Sequence, residues 1–203
     1  VNNGDNQNTT TAAAGNTVSW NVNTVFDSSQ TNNGNGTTGV TGTYVVTDQL
    51  PNNLVDSSTA ADGTVIVNVT DGSGAKVWTL TATTDYTVTN DGNGKIIVTL
   101  TPVGQQHAAS LLGNADGALN IIIPSTVKTA VVGSAKDSAT TAITNAYGAD
   151  LSMTDAVQST LNVGGVDMTK TDASTSDALK GATFTVVRAD NKADAQAFVI
   201  ANA

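Results

Sequence analysis

Val18, Trp20 and Val22 alternate with Ser19, Asn21 and Asn23. A period of two puts the apolar side chains on one face of an extended strand and the polar ones on the other. Similar runs predict strands at "GTYVVTDQLP", stopped by Pro51, and at "GTVIVNVTD", "AKVWTLTA", "DYTVTN" and "KIIVTLTP". "DGSG" and "NDGNGK" supply turns, and "DSSQTNNGNGTTG" reads as a long polar loop. One stretch, "GQQHAASLLGN", has helical spacing, with Ala108, Leu111 and Leu112 on one side. Strands resume at "ALNIIIP", "TTAITNAYGADL" and "AVQSTLNVGGVDMTKTD", and "GATFTVVRAD" and "AQAFVIANA" read as strands of a further unit. Many short strands at this spacing predict an all-β sandwich. A boundary near Gly164 and Gly165 makes residues 1–163 one sandwich and leaves 164–203, too short to fold alone, as the opening of an incomplete second one.

Three polar residues break the alternation. Asp48 shares a face with Tyr44, Val46 and Leu50; Asn145 shares one with Ile143 and Tyr147; Lys170 shares one with Val166 and Met168. Burial without a partner raises a carboxyl pKa and lowers that of an amine, so a dry core can hold both groups neutral. A neutral amine is a nucleophile, and a protonated carboxyl can polarise a carboxamide and hand a proton to departing ammonia. The product is an intramolecular Lys–Asn isopeptide bond, its rate supplied by rigid juxtaposition. Structural roles compete with this chemistry. Asp48 can cap a strand end before Pro51, Asn145 can satisfy backbone groups at a strand irregularity, and Lys170 can lead its ammonium to solvent along its apolar stem.

The order "GNTVSWNVN…YVVTDQLPNNL…DYTVTN…IIVTLTPVGQQ…LNIIIPSTV…ITNAYGADL" resembles the fimbrial isopeptide-forming domain of Gram-positive, sortase-assembled pilins across residues 1–163. "VDMTKTDASTSDALKGATFTVVRADN" resembles the start of a Cna protein B-type domain through Leu179, Gly181, Ala182 and Phe184. The resemblance implies an Ig-like, Cna-type sandwich in which Asp48 assists isopeptide formation and Asn145 is the acceptor. It makes Lys170 the isopeptide donor of the second domain. The opening "VNNGDNQNTTTAAAG" has no lysine to serve as donor of the first. Either the donor lies upstream of Val1 or the first domain has lost its bond. The second unit lacks the family's assisting glutamate and, ending early, its acceptor strand.

Composition narrows the function. The net charge is −9, all 17 acidic residues are aspartate, and the basic residues are scattered, so the chain carries no footprint for nucleic acid. Cysteine is absent, which excludes disulfides. The lone histidine, His107, leaves no basis for a metal site or a hydrolase triad, "NDGNG" and "DGSG" lack the remaining ligands of a calcium loop, and no cofactor is implied. No apolar run is long enough to span a membrane. The expectation is a non-enzymatic pilus subunit, extracellular and attached to the cell wall, whose partners are other pilin subunits joined through sortase. The alternative is a wall-anchored adhesin module binding a host glycan or matrix protein. A wall-polymer hydrolase would need paired carboxylates facing a cleft, and the acids lie dispersed in turns.

Overall fold

The computed structural model describes residues 2–3, 9–32, 40–153, 159–164, 171–178 and 181. It divides into two compact units, Val1–Gly165 and Val166–Ala203. In the first, the chain runs through β1 (Asn2–Asn3), β2 (Thr9–Ala12), β3 (Thr17–Phe26), a 3-10 turn (Ser28–Gln30), β4 (Thr31–Asn32), β5 (Val40–Thr41), β6 (Tyr44–Gln49), β7 (Val55–Asp56) and β8 (Ile66–Asp71). It continues through β9 (Lys76–Thr79), β10 (Tyr86–Asn90), β11 (Lys95–Leu100), α1 (Pro102–Leu111), β12 (Gly117–Val127), β13 (Gly133–Lys136), β14 (Ser138–Ile143) and β15 (Thr160–Val163).

One sheet has the order β1-β3-β12-β8-β9, with β7 also paired to β12. A second has the order β10-β11-β6-β14, a third β13-β15-β2, and β4 pairs with β5. Alternation delivers the core. Val18, Trp20 and Val22 of β3 and Leu119, Ile121 and Ile123 of β12 are buried in one cluster with Tyr44 and Val46 of β6 and Ile96 and Val98 of β11. The inner faces of two sheets thus close on each other as an Ig-like β-sandwich. Covering the apolar area of these strands is the main favourable contribution to folding.

The pattern placed most of the longer strands and missed the short strands β2, β4, β5 and β7 along with the features that follow. The helix begins at Pro102, two residues before the expected "GQQHAASLLGN" stretch, because the Thr101 hydroxyl caps it by accepting from the Gly104 N–H at 3.0 Å. The strand "ALNIIIP" does not stop at Pro124 but runs on to Val127. Pro124 falls between the stretch paired with β8, which ends at Ile122, and that paired with β7, which starts at Thr126, so on that side it forfeits no ladder bond. β13 was not anticipated at all. In the second unit the described residues form a turn in which the Asp172 carboxylate accepts from the Ser174 and Thr175 N–H groups. The strands expected at "GATFTVVRAD" and "AQAFVIANA" lie outside the described residues.

Gly42 fits against the Thr144 backbone so closely that an added Cβ would lie 1.7 Å from the Thr144 carbonyl oxygen. Gly42→Ala must therefore push the two segments apart, and we expect a loss of roughly 1–3 kcal/mol in urea unfolding.

Candidate functional site

β6 is a central strand, and its alternation sends Tyr44, Val46 and Asp48 inward. Asp48 is 1% exposed, lies opposite Ile96 on β11 and Ala139 on β14, and has no hydrogen-bond partner on either carboxylate oxygen. Leaving such a group charged and dry is unfavourable by several kcal/mol, so the carboxyl takes up a proton instead. Its pKa is held well above the usual carboxylate range, first by burial and second by the neighbouring Asp137. The Gln49 N–H lies near enough to offset part of this but does not meet hydrogen-bond geometry.

Asp137 is the residue that reading the sequence missed. It occupies the single position between β13 and β14, where the chain stops pairing with β15 and starts pairing with β6. Its N–H donates to the Ser159 carbonyl at 3.1 Å, and its Oδ1 accepts from the Ser159 N–H at 2.5 Å. Oδ2 has no partner, and the residue is 1% exposed. Burial pushes this carboxyl up to about 6, with the Ser159 N–H pulling the other way. Asp137 stands two residues before Ala139, which lies opposite Asp48, so the two acids share the inner face as diagonal neighbours. The signal was present: in "AKDSATTAI" the positions Ala135, Asp137, Ala139, Thr141 and Ile143 alternate just as the Asp48 run does.

No cation offsets this pair among the described residues. Lys136, beside Asp137, and Lys95, beside Ile96, are exposed, while Asp48 lies opposite the apolar Ile96 and Ala139 and Asp137 against the buried Ser159. Elsewhere, His107 Nδ1 lies 3.2 Å from Asp85 Oδ2. Two buried carboxyls on one inner face disfavour each other's ionisation, so the site holds protons more tightly than surface aspartates do. Such a pair can give a proton to a leaving group or receive an amine.

Asn145 is not beside Asp48. The expectation that it shares an inward strand face with Ile143 and Tyr147 is corrected: β14 ends at Ile143, and Tyr147 is 70% exposed. The cause is local. Gly148 at φ 82° permits a tight turn in which the Asn145 N–H donates to the Ala149 carbonyl, while Asn145 Oδ1 accepts from the Tyr147 and Ala149 N–H groups at 3.0 and 2.8 Å. Its Nδ2 donates to Ser29 Oγ at 3.0 Å. The Thr144 N–H, next to Asn145, donates to the carbonyl of Thr43, which lies five residues before Asp48, roughly 15 Å at strand rise, so the structure does not bring the expected acceptor and the assisting acid together. Lys170 lies outside the described residues. Asn145→Ala is expected to cost roughly 1–3 kcal/mol through its lost turn and Ser29 hydrogen bonds, measured by thermal unfolding.

Two other places were candidates. Gln30 and Gln105 are buried and joined by an Nε2 to Oε1 bond of 3.0 Å, and their amides also hold Thr144 and Gly42 carbonyls. That cluster pins loops together and presents no reactive group. On the outward face of the first sheet, Asn23, Asn120 and Asn68 stand in register on three adjacent strands. Asn120 Nδ2 donates to Asn23 Oδ1, and Thr79 Oγ1 donates to Asn68 Oδ1, both at 2.7 Å. They line a shallow groove of about 640 Å³ together with Asn21, Thr70 and Lys76. No group of three or more metal-ligating side chains occurs among the described residues, and no helix there is long and apolar enough to cross a membrane.

No family model matches the chain, and no curated protein matches it either. Solved structures do. BcpA, the major pilin subunit of Bacillus cereus, superposes with a TM-score of 0.52 at 21% identity over 88% of this chain and 44% of that one. The 35 kDa C-terminal fragment of GBS80, the major pilin of Streptococcus agalactiae, superposes with a TM-score of 0.54 at 14% identity over 83% of this chain and 57% of that one. The chain thus spans about half the length of these structures and shares their pilin-like sandwich fold.

Proposed function

We propose that this chain is a structural part of a pilin, a subunit of a sortase-assembled pilus on the wall of a Gram-positive bacterium, where it acts mechanically and not as a turnover enzyme. The observation that carries this reading is the pairing of β2, the second strand of the first unit, with β15, the last described one. β2 and β15 are parallel, with Thr9 opposite Thr160 and Ala12 opposite Val163. Pulling β2 from its N-terminal end and β15 from its C-terminal end slides the two strands in opposite directions along their length. All the ladder bonds between them are then loaded together instead of being opened one by one. This arrangement suits a domain strung head to tail in a fibre, and the likeness of its fold to two major pilins agrees with it.

The buried acids extend the reading. Asp48, protonated and dry, is placed to assist one self-directed amide-forming step in the first unit, with a lysine as donor. In residues 164–203, read as the start of a Cna B-type domain, Lys170 is the donor. Either bond would constrain the unfolded chain much as a disulfide does, by a few kcal/mol, and would withstand reduction in a protein without cysteine. The partners are other pilin subunits, joined through sortase. The test is a denaturing gel of wall extracts probed for the full-length protein. A ladder of covalent multimers that disappears when the sortase is deleted is expected; a single monomer band in both strains sinks the pilus reading.

The asparagine groove favours a second reading, a wall-anchored adhesin module that binds a host glycan through amide hydrogen bonds. Glycan-array binding that is lost in Asn120→Ala would support it, and an array with no signal removes it.

A further inference from the structure

We infer that the asparagine groove of the first sheet binds a neutral, unbranched oligosaccharide laid across the strands, with about one sugar unit to each strand that it crosses. The inference rests on the second reading above and narrows it. Its basis is the register of four neighbouring strands. Asn23 on β3 lies opposite Asn120 on β12, Asn120 opposite Asn68 on β8, and Asn68 opposite Thr79 on β9. The next outward row reads Val25, Ala118, Thr70 and Lys76 on the same strands. Both rows leave the outward face, because the row between them, Thr24, Leu119 and Val69, is buried. The groove of about 640 Å³ lies over the small Ala118, with the amides as one wall. Its lining reaches over four strands, roughly 14 Å, but takes at most two outward side chains along any one of them, roughly 7 Å. The long axis of the groove therefore crosses the strands.

The row is also held in place and still has hydrogen bonds to give. Asn120 Nδ2 donates to Asn23 Oδ1, and Asn68 Oδ1 accepts from the Thr79 hydroxyl. Those two bonds leave Asn23 Nδ2, Asn120 Oδ1 and Asn68 Nδ2 without a side-chain partner among the described residues. A row that offers both donors and an acceptor matches sugar hydroxyls, which do both in turn. Asn68 carries the most weight. It is only 8% exposed and lines the groove, and a donor so withdrawn from water gains most from a ligand acceptor. Neighbouring strands stand about 4.8 Å apart, close to the advance of one unit in an extended, equatorially linked sugar chain, so successive amides can meet successive units. Val25, exposed at the end of the second row, offers an apolar surface to the C–H face of a sugar. Charge favours a neutral chain. Lys76 is the one charged lining residue and sits at the β9 end, where it can donate to a hydroxyl, while the net charge of −9 opposes the approach of an acidic polymer.

The experiment is calorimetric titration of the full-length protein with β-1,4-linked glucose and N-acetylglucosamine, from the single sugar to the hexamer, beside a glycan array. Affinity is expected to rise about tenfold with each unit up to the trimer, for one or two amide hydrogen bonds apiece, and to level off beyond the tetramer. A single sugar that binds as tightly as the trimer, or affinity that climbs steadily to the hexamer, overturns the inference and leaves the adhesin reading standing. Tighter binding of glucuronic acid oligomers of the same lengths does so too. If no oligomer binds but the array gives a signal for branched glycans, the inference falls alone; a silent array as well removes both. Asn120→Ala should weaken trimer binding at least about tenfold, and Asn23→Ala, at the end of the row, should weaken it less. Thr140→Ala, exposed on the other sheet, should bind as the wild type does. Trimer binding unchanged in Asn120→Ala refutes the groove as the site, and the wild-type length series tests the inference independently of how well any variant folds.

Discussion

The first unit is expected to unfold at a higher urea concentration at pH 5 than at pH 8. The buried carboxyls of Asp48 and Asp137 both titrate above their ordinary range when folded. A raised folded pKa means that the native state binds the proton more tightly than the unfolded chain does. That stabilisation is complete below about pH 4, the ordinary aspartate range, and is lost as the pH rises through the folded values, about 6 for Asp137 and well above the ordinary carboxylate range for Asp48. For Asp137 alone the loss between pH 5 and pH 8 is on the order of 1 kcal/mol, roughly 0.5–1 M in the urea midpoint for a domain of this size.

Exposed turn aspartates work in the opposite sense. Asp56, Asp71, Asp116 and Asp150 accept N–H and hydroxyl hydrogen bonds that hold their carboxyls below the usual range. Their contribution is present above about pH 4 and is lost as the pH falls through their lowered folded values. Stability should therefore peak between these limits, near pH 5. Asp48→Asn and Asp137→Asn remove one buried titration each and should flatten the fall between pH 5 and pH 8. If the double variant falls as steeply as the wild type, the net charge of −9 is the cause and the acid pair is not.

Trp20→Ala should be the most damaging core substitution, lowering stability by about 4–6 kcal/mol. Trp20 is fully buried on β3 opposite Ile123 and among the largest side chains of the core. Truncation leaves a cavity that the closed sandwich can refill only partly, at about 3–5 kcal/mol. It also removes the indole N–H that donates to Ser125 Oγ at 2.8 Å, leaving a fully buried hydroxyl without that partner, at about 1–3 kcal/mol. Against a total stability of about 5–15 kcal/mol this is a large share. Trp20→Phe keeps most of the volume and loses the hydrogen bond, so it should cost markedly less. Circular dichroism melting of both variants separates the two contributions, and equal losses would mean that the cavity is not the dominant cost.

Single-strand alternation made much of this fold legible. Val18, Trp20 and Val22, and Tyr44, Val46 and Asp48, all face inward where their period placed them. Asp48 in particular was readable because β6 is regular and its neighbours Tyr44 and Val46 are strongly apolar. Asp137 followed the same period but sits in a small-residue run, Ala135 to Ala139, whose weak apolar signal hides a strand. Asn145 misled because its alternation was counted through a turn. Nothing in a period-of-two count registers that a side-chain amide accepting two backbone N–H groups, followed by Gly148 at positive φ, outcompetes strand continuation.

The sequence by itself determined which faces are apolar, where most strands lie and that an acid is carried inward on β6, because these follow from side-chain chemistry repeated at backbone period. Only the tertiary structure decided what meets that acid. The chain switches partner from β15 to β6 at Asp137, and this switch sets a second carboxyl beside Asp48 and a buried Ser159 N–H against it. Strand pairing is a choice among distant segments, made by the whole core at once, and local periodicity carries no record of which partner wins.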